Sequence, residues 1–169
     1  MDKFKQVKPY DLNENMFDLI GRQWMLITAA NGDNVNTMTA SWGGIGVLFN
    51  KTVAYIFVRP QRYTKQFVDG ASTFSLTFFE ESFKKELSYL GCTSGRDEDK
   101  IAKANLTTLY IGETPYFEQS KLTFICRKLY AQDMNEESFI DKDVQNICYP
   151  NKDFHTLYIA EIEKVMIKE

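Results

Sequence analysis

Between Asn36 and Thr64 the chain passes twice through strand-like runs, Thr37–Trp42 and Val53–Val58, and each run ends in a polar turn. Short apolar runs bounded by turn residues fit strands better than helices. The first turn brings small hydroxyls and Gly43, Gly44 and Gly46; the second brings Arg59, Pro60, Arg62, Tyr63 and Thr64. Small residues let a flat group lie close against backbone. Guanidinium forks and short hydroxyls together suit a phosphate. The stretch therefore reads as a cradle for a molecule flat at one end and phosphorylated at the other.

The chain around it has 169 residues, enough for one domain spanning 1–169 with a substantial core. Its 13 Phe and 9 Tyr point to strands, where aromatic side chains pack well. A net charge of −3 argues against a nucleic-acid binder held by a basic face. No apolar run is long enough to cross a bilayer, and Met1–Gln6 lacks the apolar segment of a secretion signal. Cys92, Cys126 and Cys148 are widely spaced and form neither a metal-ligand pattern nor a disulfide framework. A reducing cytoplasm is the expected location.

Element by element, Met1–Gly21 reads as an extended arm with a helical turn near Glu14–Ile20. Trp24–Ala30 is a strand, turned by Asn31–Asn34 into Thr37–Trp42. Gly43, Gly44 and Gly46 are expected to break regular structure. Tyr63–Ala71 is expected as a short helix, and Thr73–Phe79 alternates like a half-buried strand. Glu81–Leu90 has helical spacing, and Arg96–Lys103 is a charged helical candidate. Leu106–Ile111 and Leu122–Ala131 read as strands. Glu137–Ile147 is amphipathic, with Phe139, Ile140, Val144 and Ile147 on one side. Phe154–Ile167 is the last strand. The pattern fits a mainly β fold with inserted helices, either a barrel or an α+β sandwich.

Thr-Ala-Ser-Trp-Gly-Gly-Ile-Gly at 39–46 and Val-Arg-Pro-Gln-Arg-Tyr-Thr at 58–64 resemble the flavin reductase family, the FMN-binding split-barrel proteins that include flavoredoxin. Ser94–Lys100 and Asp153–Ile162 resemble the same family in the same order, so the likeness runs from about Trp24 to Ile162. It implies a split β-barrel related to a Greek key, a homodimer, and FMN as cofactor.

The candidate site residues each have a plain alternative. Thr39, Ala40, Ser41 and Trp42 are either a sheet edge facing water or, as the resemblance implies, backbone that meets the flavin ring. Arg59, Pro60, Gln61, Arg62, Tyr63 and Thr64 are either a solvated turn or the phosphate end, with Arg62 beside a helix start at Thr64. Ser94, Gly95, Arg96 and Lys100 are either a polar loop leading into a charged helix or, by resemblance, a loop at the flavin that brings a cation on Lys100. His155, the sole histidine, is either a hydrogen-bonded strand residue or the residue that positions a hydride donor. Cys126 and Cys148 read as small buried hydrophobes. Cys92 lies just before the candidate loop.

The leading expectation is a flavin reductase that passes hydride from NAD(P)H to FMN and electrons onward to a free flavin or a redox partner protein. The rivals are a flavoredoxin-like electron carrier with little NAD(P)H activity, and a barrel that has lost flavin.

Overall fold

In the computed structural model, residues 4–169 are described; the first three residues of the expected arm lie outside them. Strands β1 (Phe4–Val7), β2 (Met25–Asn31), β3 (Asn34–Ala40), β4 (Gly43–Leu48), β5 (Lys51–Val58), β6 (Thr73–Phe78), β9 (Leu122–Asp133) and β10 (Thr156–Lys168) form one antiparallel sheet. Its order is β3-β2-β6-β9-β10-β5-β4, with β1 added on β10. A small hairpin, β7 (Thr108–Ile111) and β8 (Thr114–Phe117), stands apart. Helices α1 (Met16–Asp18), α2 (Thr64–Gly70), α3 (Lys84–Cys92), α4 (Lys100–Lys103) and α5 (Lys142–Cys148) are inserted between strands.

The longest strand closes the architecture. β10 pairs with β9 on one side, while its other side is shared between β5 at Thr156–Glu161 and β1 at Val165–Lys168. Register shifts at Ile159/Ala160 and Ile162/Lys164 bend it, as bulges do where a sheet must curve. The edge strands β3 and β4 are separated in the chain only by Ser41 and Trp42. The sheet thus curls back on itself and remains open along one seam. This is the mainly β split barrel with inserted helices that the sequence implies.

Side chains alternate as the pleat requires. Ile27, Ala54, Ile56, Phe74, Phe124, Tyr158 and Ala160 fill the interior and are fully or almost fully buried. A second cluster, Leu26, Phe79, Leu87, Leu90, Leu106 and Phe117, seats α3 against the outer face.

Several expectations change. Gly43, Gly44 and Gly46 do not break the chain; they lie in β4, paired with Ile56, Tyr55 and Val53. A Cβ on Gly43, at φ +153°, would stand 2.7 Å from the Tyr55 carbonyl oxygen, so the glycine permits the pairing. Thr73–Phe78 is buried on both faces, because the β7–β8 hairpin covers the polar one: Ser75 Oγ donates to Pro115 O at 2.6 Å. The charged run 96–103 is helical only from Lys100, where Asp99 caps it. The expected Leu106–Ile111 strand begins at Thr108, and β8 was not anticipated. The amphipathic stretch is helical over Lys142–Cys148, and its apolar side faces outward: Ile140, Val144 and Ile147 are exposed. Helical spacing marks an apolar stripe but cannot say whether the domain offers a surface to cover it. Cys126 is buried as expected, with its thiol pushed up by that burial, while Cys148 is half-buried.

Candidate functional site

The seam between β3 and β4 opens into a cleft in two parts. One part, about 130 Å³, is lined by Ala40, Ser41, Trp42, Phe57 and His155. The other, about 430 Å³, is lined by Gln61, Tyr63, Cys92, Ser94, Arg96 and Lys100, with Thr64 at its base. Met38, Arg59 and Arg62 border both, so the two parts are continuous. Residues far apart in sequence meet here because β3, β5, α3 and the start of β10 all end at the seam.

The larger part is organised by the carboxyl end of α3. A helix end leaves carbonyls without internal partners and carries partial negative charge. Here Arg62 Nη1 donates to Gly91 O at 2.6 Å, and Lys100 Nζ to Leu90 O at 2.9 Å and Thr93 O at 2.8 Å, while one turn back Thr39 Oγ1 donates to Leu87 O at 2.5 Å. Lys100 is 4% exposed, and burial first, then the Arg62 charge, pushes its ammonium down to about 8. Arg96 lies over the Tyr63 ring at 4.6 Å. Gly95 packs so closely on the Asn36 side chain that a Cβ would collide with it. Among the described residues, no carboxylate makes an ion pair with Arg62, Arg96 or Lys100. Three cations therefore line one cavity without a counter-charge.

The smaller part shares Arg62 with the larger, but its other charges are paired. Arg59 is paired with Asp153 and also donates to Cys148 O at 2.9 Å. Gln61 Nε2 donates to the same Asp153 oxygen at 2.7 Å. Hydrogen bonds from Arg59 and Gln61 hold the Asp153 carboxyl below the usual carboxylate range. His155 is 7% exposed, and burial, assisted by the Arg59 charge, pushes its imidazole down to about 4. It is neutral at pH 7. Its Nδ1 lies 2.7 Å from the Tyr149 hydroxyl, and its ring lies 5.2 Å from Trp42 and 6.3 Å from Phe57, centroid to centroid.

Most of the residues expected from the sequence converge on this cleft, but some occupy different roles. The Thr39 hydroxyl is tied to α3, donating to Leu87 O. The Thr64 hydroxyl is buried and accepts from Asn36 Nδ2 at 2.9 Å. At the start of α2 the Arg62 and Lys65 amides are bonded within the turn, to Arg59 O and Arg62 O. Pro60 is exposed on the turn and Gly95 packs behind it; neither lines the two-part cleft. Phe57, Tyr149 and Asp153 were missed. Asp153 pairs with a residue 94 positions away, and nothing local in the sequence signals such a pairing.

The donor set fits a flavin mononucleotide. The flat neutral part, with free backbone at Ser41–Trp42 and aromatic walls, matches a heteroaromatic ring. The cationic part matches a phosphate dianion. Among the described residues no group of side chains is arranged to hold a metal ion.

Comparison with known families matches residues 17–169 to the flavin reductase like domain. The chain belongs to that family, whose members form a class of flavin-binding oxidoreductases. No curated protein sequence matches it. Among solved structures it is similar to an FMN-binding domain of a flavin reductase-like enzyme from Shewanella baltica OS155, at 14% identity and TM-score 0.70, covering 98% of this chain and 77% of that one. It is also similar to flavoredoxin from Methanosarcina acetivorans, at 19% identity and TM-score 0.67, covering 87% and 69%. A third similar structure is an NADH:FAD oxidoreductase from Streptomyces globisporus C-1027 in complex with NAD and FAD fragments, at 14% identity and TM-score 0.63, covering 86% and 74%. At these identities the likeness establishes the split-barrel fold. No helix of the described residues is long and apolar enough to cross a membrane.

Proposed function

We propose that the cleft binds FMN and that the protein is an NAD(P)H-dependent flavin oxidoreductase. The observation that carries this reading is the contrast within one cavity, three cations without carboxylate partners beside an aromatic slot in which Arg59 is ion-paired and His155 neutral. Bound flavin supplies a hydride-accepting ring and the onward delivery of electrons to a free flavin or a redox partner protein.

The chain's own residues bind and orient. Arg62 has donors to spare after Gly91 O, and Lys100 keeps one of its N–H groups after two carbonyls. Together with Arg96 they receive the phosphate. Beyond Ala40 the chain leaves the β2 ladder, so Ser41 and Trp42 amides and carbonyls are free to pair with the ring's polar edge. Trp42 and the neutral His155 line the slot where a nicotinamide would approach. Because the imidazole is neutral at pH 7 and keeps a single ring N–H, the part of His155 is to donate or accept a hydrogen bond rather than to act as an imidazolium acid. The Streptomyces protein's nicotinamide and flavin fragments support this donor class.

Two further parts of the reading concern assembly and setting. Trp42, Val47 and Phe49 are exposed on and beside the edge strand β4, and a homodimer that covers them matches the aromatic, open seam. Three free cysteines fit a reducing cytoplasm. Sedimentation at micromolar concentration tests the dimer; a stable monomer would refute it.

Absorbance titration of flavin-free protein with FMN, followed by stopped-flow reduction with NADH and NADPH, tests the whole reading. The expected result is one FMN per chain and rapid bleaching by one of the two donors. Failure to take up FMN removes the central claim. Uptake without reduction by either donor leaves the flavoredoxin-like electron carrier instead.

A further inference from the structure

Tyr149 follows α5, in a segment that no motif marks, yet it touches two residues of the cleft, His155 and Arg59. Its hydroxyl meets His155 Nδ1 at 2.7 Å, within a pair that is shielded from water. Its ring packs edge-on against Phe139, at 5.5 Å, and tilted against Phe154, at 5.1 Å, and the Arg59 guanidinium lies 5.1 Å from its centroid. The ring is thus clamped before the hydroxyl does anything.

A phenol has one proton, and two acceptors are within reach of this one: His155 Nδ1 at 2.7 Å and the Met134 sulfur at 3.8 Å. A thioether is a weak acceptor and an imidazole nitrogen a strong one, so the proton goes to Nδ1. An imidazole that accepts at Nδ1 must carry its own proton on Nε2. We propose that Tyr149 is a positioning residue that locks His155 in the Nε2–H tautomer, turning it into a fixed hydrogen-bond donor for a carbonyl oxygen of a ligand lying against Trp42. The ligand part of this inference rests on the FMN and nicotinamide reading; the tautomer part does not.

The surroundings favour the same state. The charged and titratable groups around the imidazole are Arg59 from the end of β5, Arg62 from the following turn, Asp153 from the segment before β10, and Tyr149 itself. Two cations face it and the one carboxylate is neutralised by Arg59, which disfavours a charged imidazole. Burial pushes the Tyr149 hydroxyl up, so the phenol keeps the proton it donates.

The test uses the fact that the chain has a single histidine. Long-range proton–nitrogen NMR of the flavin-free protein at pH 7 reads one imidazole without assignment. Wild-type protein is expected to show Nε2 protonated and Nδ1 bare. Tyr149→Phe keeps the ring among Phe139, Phe154 and Arg59 and removes only the hydroxyl. It is expected to give a mixture of both tautomers and an imidazole that titrates at higher pH, with a roughly two- to tenfold change in its protonation equilibrium. A wild-type Nδ1–H tautomer overturns the proposal, and that measurement stands even if the variant does not fold. An unchanged tautomer in folded Tyr149→Phe overturns it as well. Because neither reading needs bound flavin, failure here is distinct from failure of FMN to bind. With flavin bound, KM for the nicotinamide is expected to rise in Tyr149→Phe more than kcat falls.

Discussion

The two ends of the seam share strands and residues and end up electrically different. At the α3 end, Arg62 and Lys100 satisfy helix carbonyls, not carboxylates. Carbonyl oxygens hold a cation in place without cancelling its charge, so the end stays positive. At the His155 end, Arg59 meets Asp153 directly and the imidazole is neutral. The comparison teaches how one fold separates a charged from an uncharged pocket over a short distance. It chooses dipolar partners where charge must remain and ionic partners where charge must vanish.

The sharpest way to break that contrast is to compare FMN with riboflavin, which lacks the phosphate. Arg62→Ala is expected to weaken FMN roughly ten- to a hundredfold, from the 1.5–3 kcal/mol typical of a hydrogen bond to a charged group, while riboflavin binding changes little. Calorimetric titration with both ligands checks it. Equal loss of both would mean that Arg62 merely holds α3 through Gly91.

Lys100→Met asks how far the α3 end depends on its buried cation. It leaves the Leu90 and Thr93 carbonyls without their donor, at a cost of about 1–3 kcal/mol in chemical denaturation. The sign with pH is also set. Lys100 titrates near 8 in the fold against 10.5 ordinarily, so between those values the unfolded chain binds more protons and wild-type stability from this group rises with pH. The variant should lack that alkaline rise; a curve parallel to wild type would show that the ammonium is not buried in solution.

His155→Gln addresses the other end. The imidazole titrates near 4 in the fold against 6.5 ordinarily. Between these values the unfolded chain takes up the proton first, so stability falls as pH drops from 6.5 toward 4. The difference between wild-type and variant curves over that window is expected to be on the order of 1–3 kcal/mol. Curves that coincide would place His155 in water.

The smallest effect serves as the baseline. Lys152 pairs with Glu136 at 2.8 Å on the surface, both side chains well exposed. Lys152→Ala should shift stability by no more than about 0.5 kcal/mol and leave FMN affinity unchanged. A large loss would mean that the segment leading into His155 is held by surface charge rather than by Tyr149, Phe154 and Arg59.

Much of this was legible along the chain. The alternation at Phe74, Leu76 and Phe78 and the apolar run Val53–Val58 state their strands locally, since a pleat puts every second side chain inside. Arg59 and Arg62 were singled out as candidate site residues by their chemistry and their neighbours, and His155 by the resemblance to the family. Gly43 misled because a glycine signals conformational freedom without saying whether the chain uses it to turn or, as here, to let a neighbouring strand come close. The stripe Ile140, Val144 and Ile147 misled for the complementary reason, being periodic yet exposed.

What the sequence determined by itself is therefore most of the strands, though not β4 or β8, together with the two turns and the kinds of side chain brought to them, because these rest on contacts within a few residues. Only the tertiary structure decided which charges survive. Whether Arg62 faces a carbonyl, Arg59 a carboxylate or His155 a phenol depends on Gly91, Asp153 and Tyr149, which reach the seam through the pairing of β5 with β10 and the seating of α3. Electrostatic character belongs to partners in space, and the chain order records only neighbours along the backbone.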